Sequence, residues 1–188
     1  MTRQIVSPGR TKFLEEIEKA AGAVPPLHAK IPWASPHELY PLFSGPGSIL
    51  FESVNFESGK FKNGKSPENI ARHSFIVFEP YAVMRVKDGF VEIERDQGRE
   101  DQGRDKGGRV ITAEKDPLRR LEELVGAYNQ RPEPGLPPFQ GGAAGLVCYD
   151  FARYIERFPD ARPPDELGLP DACFFMADRL LAFDHVRR

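Results

Sequence analysis

Ser74-Phe75-Ile76-Val77-Phe78, then Ala82-Val83-Met84-Arg85-Val86, then Asp88-Gly89 leading into Phe90-Val91-Glu92-Ile93, is the stretch that decides the fold. Its runs are rich in β-branched and aromatic side chains, which fit a pleated, half-buried surface better than a helix. Glu79-Pro80 separates the first run from the second. Asp88-Gly89 is a strong tight-hairpin signal, because both central positions of such a turn need a positive φ, which Asp and Gly tolerate. Three strands in succession, with no helix between them, are therefore expected.

Working outward, Ser48-Ile49-Leu50-Phe51-Glu52-Ser53-Val54 reads as a further strand, entered by the turn Ser44-Gly45-Pro46-Gly47. Before it, Pro36 opens a short helix with Ser35 as cap and Leu39, Tyr40 and Phe43 as its apolar side. Over residues 11–21, Phe13, Leu14, Ile17, Ala20 and Ala21 fall on one helical stripe, which predicts a short docking helix ended by Gly22 and Pro25-Pro26. Downstream, Asp116-Pro117 starts a helix carrying Leu118, Leu121, Leu124 and Val125. The small-residue run Gly141-Gly142-Ala143-Ala144-Gly145-Leu146-Val147-Cys148-Tyr149 predicts a buried strand, residues 150–158 another helix, and Ala172-Cys173-Phe174-Phe175-Met176 with Leu180-Leu181-Ala182-Phe183 two more strands. Strands outnumber helices and do not alternate with them, so the expected class is α+β, a largely antiparallel, sandwich-like sheet with packed helices. Residues 1–24 are expected to form a helical extension and residues 25–188 the domain proper, with a charged flexible loop over 95–108.

At 188 residues, 40% hydrophobic, with a net charge of -2, the chain can bury a real core. Its 26 basic residues are balanced by 28 acidic ones, which lacks the electrostatic footprint of a nucleic-acid binder. It has no apolar run of membrane-spanning length and no secretory pattern at its start, so no membrane partner and a cytoplasmic location are expected. Cys148 and Cys173 are far apart without ligand spacing around them, and we expect reduced core thiols.

Gly59-Lys60-Phe61-Lys62-Asn63-Gly64-Lys65-Ser66 fits the phosphate-loop pattern at every fixed position. That pattern works only where the loop opens a helix whose free amides hold phosphate. Pro67 follows at once, and the stretch up to Phe75 is shorter than the roughly dozen residues that a crossover needs. Nucleotide binding is therefore the weaker reading. The near repeat Asp96-Gln97-Gly98-Arg99 and Asp101-Gln102-Gly103-Arg104 contains nothing apolar and cannot build a core.

Several separated segments, in fixed order, resemble landmarks of the component I subunits of anthranilate synthase and aminodeoxychorismate (para-aminobenzoate) synthase. Ile49-Leu50-Phe51-Glu52-Ser53 resembles the family's Leu-Leu-Glu-Ser strand, and Ala71-Arg72-His73-Ser74-Phe75-Ile76 its Gly-Arg-Tyr-Ser-Phe-Ile segment. Gly141-Gly142-Ala143-Ala144-Gly145 running into Tyr149-Asp150 is similar to its Gly-Gly-x-x-Gly-x-x-x-Tyr-Asp, and Leu167-Gly168-Leu169-Pro170-Asp171 with Phe183-Asp184-His185 completes the set. The resemblance implies the amino-terminal, non-catalytic region of a two-part subunit. The missing carboxy-terminal domain would bind chorismate and magnesium and add ammonia supplied by a glutamine amidotransferase. No cofactor is implied for this region, magnesium belonging to the full-length enzyme. The short stretch from Ile31-Pro32-Trp33 to Phe43 leans toward the aminodeoxychorismate branch.

By motif position the resemblance also implies one wall of a tryptophan pocket, formed by Phe51, Glu52, Ser53, Arg72 and His73. The chemistry suits an amino acid: an ammonium wants a carboxylate or hydroxyl acceptor, and an indole wants a flat or apolar face. His73 stands where the family has Tyr or Phe, and residues 59–66 lengthen the hairpin, two departures that bear on tryptophan sensitivity. Asp150 and Arg153 are read as an i, i+3 ion pair, Asp184-His185 as a strand terminus, Trp33 as a plug at a core edge, and the Gly141, Gly142 and Gly145 group as close backbone packing. The competing reading is a free-standing small-molecule or protein-binding module.

Overall fold

The computed structural model describes residues 6–19, 23–52, 72–96, 108–128, 130–158 and 164–187. The phosphate-loop-like segment, most of the charged repeat and Ser53 lie outside these. The chain divides into two compact units, one of Met1–Phe78, Tyr128–Gly141 and Arg179–Arg188, the other of Glu79–Ala127 and Gly142–Asp178.

The first unit holds helices α1 (Arg10–Lys19) and α2 (Pro36–Phe43) and strands β1 (Ile49–Phe51), β2 (His73–Val77) and β8 (Leu180–Asp184). Its sheet runs β1-β2-β8. Of the expected docking stripe on α1, Phe13 and Ile17 are partly covered, Leu14 is 49% exposed and no residue is fully buried, while Ala20 and Ala21 lie outside the described residues. At α2, Glu38 reaches back to accept the Ser35 N–H (3.2 Å), so a first-turn carboxylate satisfies a donor that the helix start leaves open.

The second unit holds β3 (Ala82–Lys87), β4 (Phe90–Arg95), β5 (Arg109–Ala113), β6 (Gly142–Val147), β7 (Ala172–Ala177) and helix α3 (Pro117–Gly126). The order is β5-β4-β3-β7-β6, every neighbour antiparallel. Asp88 and Gly89 both take positive φ (48° and 81°) between Lys87 and Phe90, the hairpin that the sequence predicts. Alternation sends Ala82, Met84 and Val86 of β3 and Val91 and Ile93 of β4 to one face. Leu124 and Phe151 pack there, with Leu121 and Val125 of α3 beside them. Asp116 caps α3 by accepting the Arg119 N–H (3.1 Å).

Three local expectations change. Residues 150–158 do not make an α-helix; a 3₁₀ turn occupies Tyr149–Tyr154, with Phe151 as its one buried anchor. β6 ends exposed rather than buried, Leu146 and Val147 being more than half accessible. Cys148 and Cys173 are free but only half-buried, Cys173 on β7 and Cys148 just after β6, rather than in the core. Of the glycines expected to pack backbone on backbone, Gly145 does so, since a Cβ there would lie 2.0 Å from the Cys173 carbonyl oxygen, but Gly142 does not, nothing lying within 4 Å of a Cβ there. The helices and antiparallel sheets together are an α+β fold.

Candidate functional site

β1 runs antiparallel to β2 with Phe51 opposite Phe75 and Leu50 opposite Ile76. Alternation then sets Phe51, Phe75 and His73 on one face and Leu50, Ser74 and Ile76 on the other. The second face is the interior of the unit. Ile76 and Ser74 are fully buried, and the Ser74 hydroxyl, which needs a partner there, bonds with His185 Nε2 at 2.7 Å. Trp33 meets Phe183 and His185 edge-on, at 6.1 and 5.5 Å, consistent with a plug at the edge of this core.

Of the expected wall, Phe51 and His73 share the first face, whereas Glu52 and Arg72 flank the strands one residue out of that alternation, so the structure does not put all four on one face. Because the strands are antiparallel, the end of β1, with Phe51 and then Glu52, lies beside the beginning of β2, with Arg72 and His73. Phe51 is 39% exposed, a flat apolar surface offered to solvent. His73 tilts over Phe75 at 6.1 Å, and Phe75 stands edge-on to Phe139 at 5.7 Å. Glu52 Oε1 lies 2.8 Å from His37 Nε2, on the first turn of α2. This pairing had no signal in the sequence, where the two residues are separated by a helix and a turn.

Arg72 is committed within the protein. Its Nε and Nη2 donate to the two carboxylate oxygens of Asp184, at 3.0 and 2.5 Å, in a forked pair. Asp184 also accepts the N–H groups of Val186 and Arg187. These donors hold its carboxyl well below the usual carboxylate range, the Arg72 hydrogen bond being the largest cause. His73 Nε2 lies 3.9 Å from the same carboxylate. Burial lowers the His73 pKa from its usual value, and Asp184 partly opposes that. Asp184, which the sequence offers as a strand terminus, is thus also the hub that fixes Arg72. Of the five expected wall residues, four are described and lie at one end of the three-stranded sheet. Among the described residues, no group of three His, Cys, Asp or Glu side chains is placed to hold a metal ion.

The second unit holds a polar knot. Asp171, nearly buried, accepts the Tyr154 O–H (2.8 Å) and the Asp88 N–H (3.1 Å), while the Gly89 N–H donates to the Tyr154 oxygen (2.9 Å). Burial first, with Asp171 adding to it, pushes the Tyr154 phenol up to about 12. The knot fastens the β3–β4 hairpin to the start of β7 and accounts for the Asp of the Leu-Pro-Asp motif. Asp150 and Arg153 make the expected local pair, loosely at 3.5 Å. No described helix is long and apolar enough to cross a membrane.

No protein-family model matches the chain. It is 33% identical over 182 residues to anthranilate synthase component 1 of Thermus thermophilus, covering 97% of this chain and 30% of that protein. It is 34% identical over 142 residues to anthranilate synthase component 1 of Pseudomonas putida, covering 75% of this chain and 25% of that protein. It is 32% identical over 114 residues to aminodeoxychorismate synthase component 1 of Bacillus subtilis, covering 61% and 22%. A crystal structure of anthranilate synthase component I from Streptococcus pneumoniae overlaps 82% of this chain and 28% of its own, with 24% identity and a TM-score of 0.40. The chain thus spans less than a third of the length of these relatives. Matched along 97% of its own length, it belongs to the family of anthranilate synthase component 1 and aminodeoxychorismate synthase component 1.

Proposed function

We propose that this chain is the amino-terminal, non-catalytic region of component I of a chorismate-aminating synthase, and that it contributes one wall of a regulatory amino-acid pocket. The observation that carries the first half is the match along 97% of the chain to a relative of which it covers only 30%. In this reading the remainder of the subunit binds chorismate and magnesium, and a glutamine amidotransferase supplies ammonia. The chain alone turns nothing over. Aminodeoxychorismate synthesis is the branch we favour, from the short stretch Ile31 to Phe43.

The pocket wall is Phe51, Glu52, Ser53, Arg72 and His73, with tryptophan as the ligand. The antiparallel pairing of β1 and β2 supports it, since it sets the exposed ring of Phe51 and the imidazole of His73 on one face, with the carboxylate of Glu52 next in the chain. Glu52 would receive the ammonium, Phe51 and His73 the indole. Arg72, forked onto Asp184, would orient the wall rather than clamp the ligand carboxylate. A single wall buries too little of a ligand to offset the cost of fixing it, so the isolated chain binds weakly or not at all. Calorimetric titration of tryptophan into the full-length subunit, wild type against Ser53→Ala, tests the proposal. Loss of one hydrogen bond to a charged group should cost about 1.5–3 kcal/mol of binding while synthesis continues. Equal affinity in the two proteins would remove Ser53 and the wall with it.

A further inference from the structure

The chain carries two cysteines, and the pairing of β6 with β7 brings both to one face of the second unit's sheet. Leu146 stands opposite Cys173 in the register, so these two side chains point to the same side. The backbone stays extended at Cys148 (φ -79°, ψ 164°), whose N–H bonds to the Asp171 carbonyl at 2.8 Å, so the alternation carries one step past the strand. Two residues on from Leu146, Cys148 therefore faces the same way as Cys173. The core lies on the other side, where Ala172 and Met176 are fully buried.

Both thiols are free and half-buried. Burial pushes the Cys173 thiol up, with Arg85 opposing and Cys148 adding to it, so the two sulfurs lie within each other's electrostatic reach. Their relation is diagonal across the ladder, which sets Cα atoms about 7–8 Å apart, beyond the roughly 7 Å within which a disulfide closes without backbone movement. A bridging atom fits that span better, because with metal–sulfur bonds of about 2.3 Å a linear unit holds its two sulfurs about 4.6 Å apart. Arg85 of β3 stands opposite Cys173 and so shares this face, its guanidinium divided between Glu92 and Glu94 at 3.5 and 2.9 Å.

We propose that Cys148 and Cys173 together form a site for one soft, two-coordinate cation of the cuprous class, held between the two sulfurs. Thiolate is the ligand that such ions select. Binding releases both S–H protons to solvent and changes no oxidation state, so the filled site bears one net negative charge. Arg85, on the same face, offsets that charge. Among the described residues no group of three or more His, Cys, Asp or Glu side chains could hold a metal, which disfavours zinc, an ion that takes three or four protein ligands.

Cys148 and Cys173 are the only cysteines among the 188 residues, so thiol-dependent metal uptake by the chain reads this pair alone. Cuprous ion, titrated anaerobically against a chromophoric chelator, should bind one per chain and protect both thiols from alkylation by iodoacetamide. Cys148→Ser or Cys173→Ser alone should weaken that binding about a hundredfold or more, the advantage that two tethered ligands hold over one. Cys148→Ala and Cys173→Ala replace a serine variant that fails to fold, with circular dichroism as the check. No uptake, or uptake indifferent to either replacement, would overturn the site. Two copper ions per chain, falling to one in each single variant, would do the same by showing that the sulfurs act separately. Ready closure of a Cys148–Cys173 disulfide by glutathione disulfide, read as loss of both free thiols without a glutathione adduct, would also overturn it, since the sulfurs would then stand nearer than a bridging ion allows.

Discussion

Arg72 and Asp184 stand 112 residues apart in sequence and meet through two parallel hydrogen bonds, joining the start of β2 to the end of β8. Both side chains are mostly covered, at 27% and 20% exposure, so this is a stronger tie than a surface ion pair. Asp184→Asn keeps the shape and removes the charge, and it should cost about 2 kcal/mol in urea unfolding at neutral pH. The sign with pH follows from the depressed carboxyl. A group held below its unfolded value of 3.8 stabilises above that pH and loses the contribution as pH falls further. Wild type should therefore lose stability to acid more steeply than Asp184→Asn below about pH 4. Parallel acid-unfolding curves for the two proteins would contradict this.

His73 reports on the same hub. Burial lowers its pKa from 6.5, and Asp184 is the opposing influence. Proton NMR should show the His73 ring titrating below 6.5, and lower still in Asp184→Asn, because removal of the carboxylate leaves burial, Arg72, His185 and Arg187 all acting against the imidazolium. A titration that moves up in the variant would mean that Asp184 does not act on His73.

Tyr154 and Asp171 form a second unit of stability. Tyr154→Phe leaves the Asp171 and Gly89 groups short of one partner each and should cost about 1–2 kcal/mol. Asp171→Ala should cost more, about 3 kcal/mol, since it strands both the Tyr154 hydroxyl and the Asp88 N–H. The double variant should cost less than the sum, because both changes break one network. Spectrophotometric titration should find one phenol ionising near 12. Additive losses would show that the two residues act separately.

The glycines separate packing from propensity. Gly145→Ala puts a methyl 2.0 Å from the Cys173 carbonyl, on backbone that cannot swing away, so β6 must shift from β7 at a cost of about 3 kcal/mol. Gly126→Ala, at the end of α3 with nothing within 4 Å, should instead stabilise by about 0.5–1 kcal/mol. Thermal unfolding of the two variants should move in opposite directions.

Much of this fold was legible where local chemistry decides the outcome. The Asp88-Gly89 hairpin, the Asp116-Pro117 start of α3 and the alternation in β3 and β4 each depend on a few adjacent residues. Long-range partners were not legible. Nothing in the sequence around Asp184 points to Arg72, and Glu52 gives no sign of His37, because such pairs are created only when β1, β2 and β8 align. The helix expected over residues 150–158 is instead a 3₁₀ turn at Tyr149–Tyr154, where Phe151 alone is buried and one covered residue gives a longer helix no apolar face to pack.

Glu52 provides the last test, one that separates binding from folding. Its partner His37 is 70% exposed, and a pair so open to water contributes less than about 1 kcal/mol to stability. Glu52→Gln should therefore unfold at nearly the wild-type urea concentration. If Glu52 receives the ammonium of an amino acid, the same change should weaken tryptophan binding by the full-length subunit about tenfold or more, since a charged hydrogen bond in a covered pocket is worth about 1.5–3 kcal/mol. His37→Ala should strengthen binding or leave it unchanged, because the ligand's ammonium competes with the imidazole for one carboxylate. Tryptophan affinity that falls in His37→Ala and holds in Glu52→Gln would assign the contact to the helix rather than to the strand.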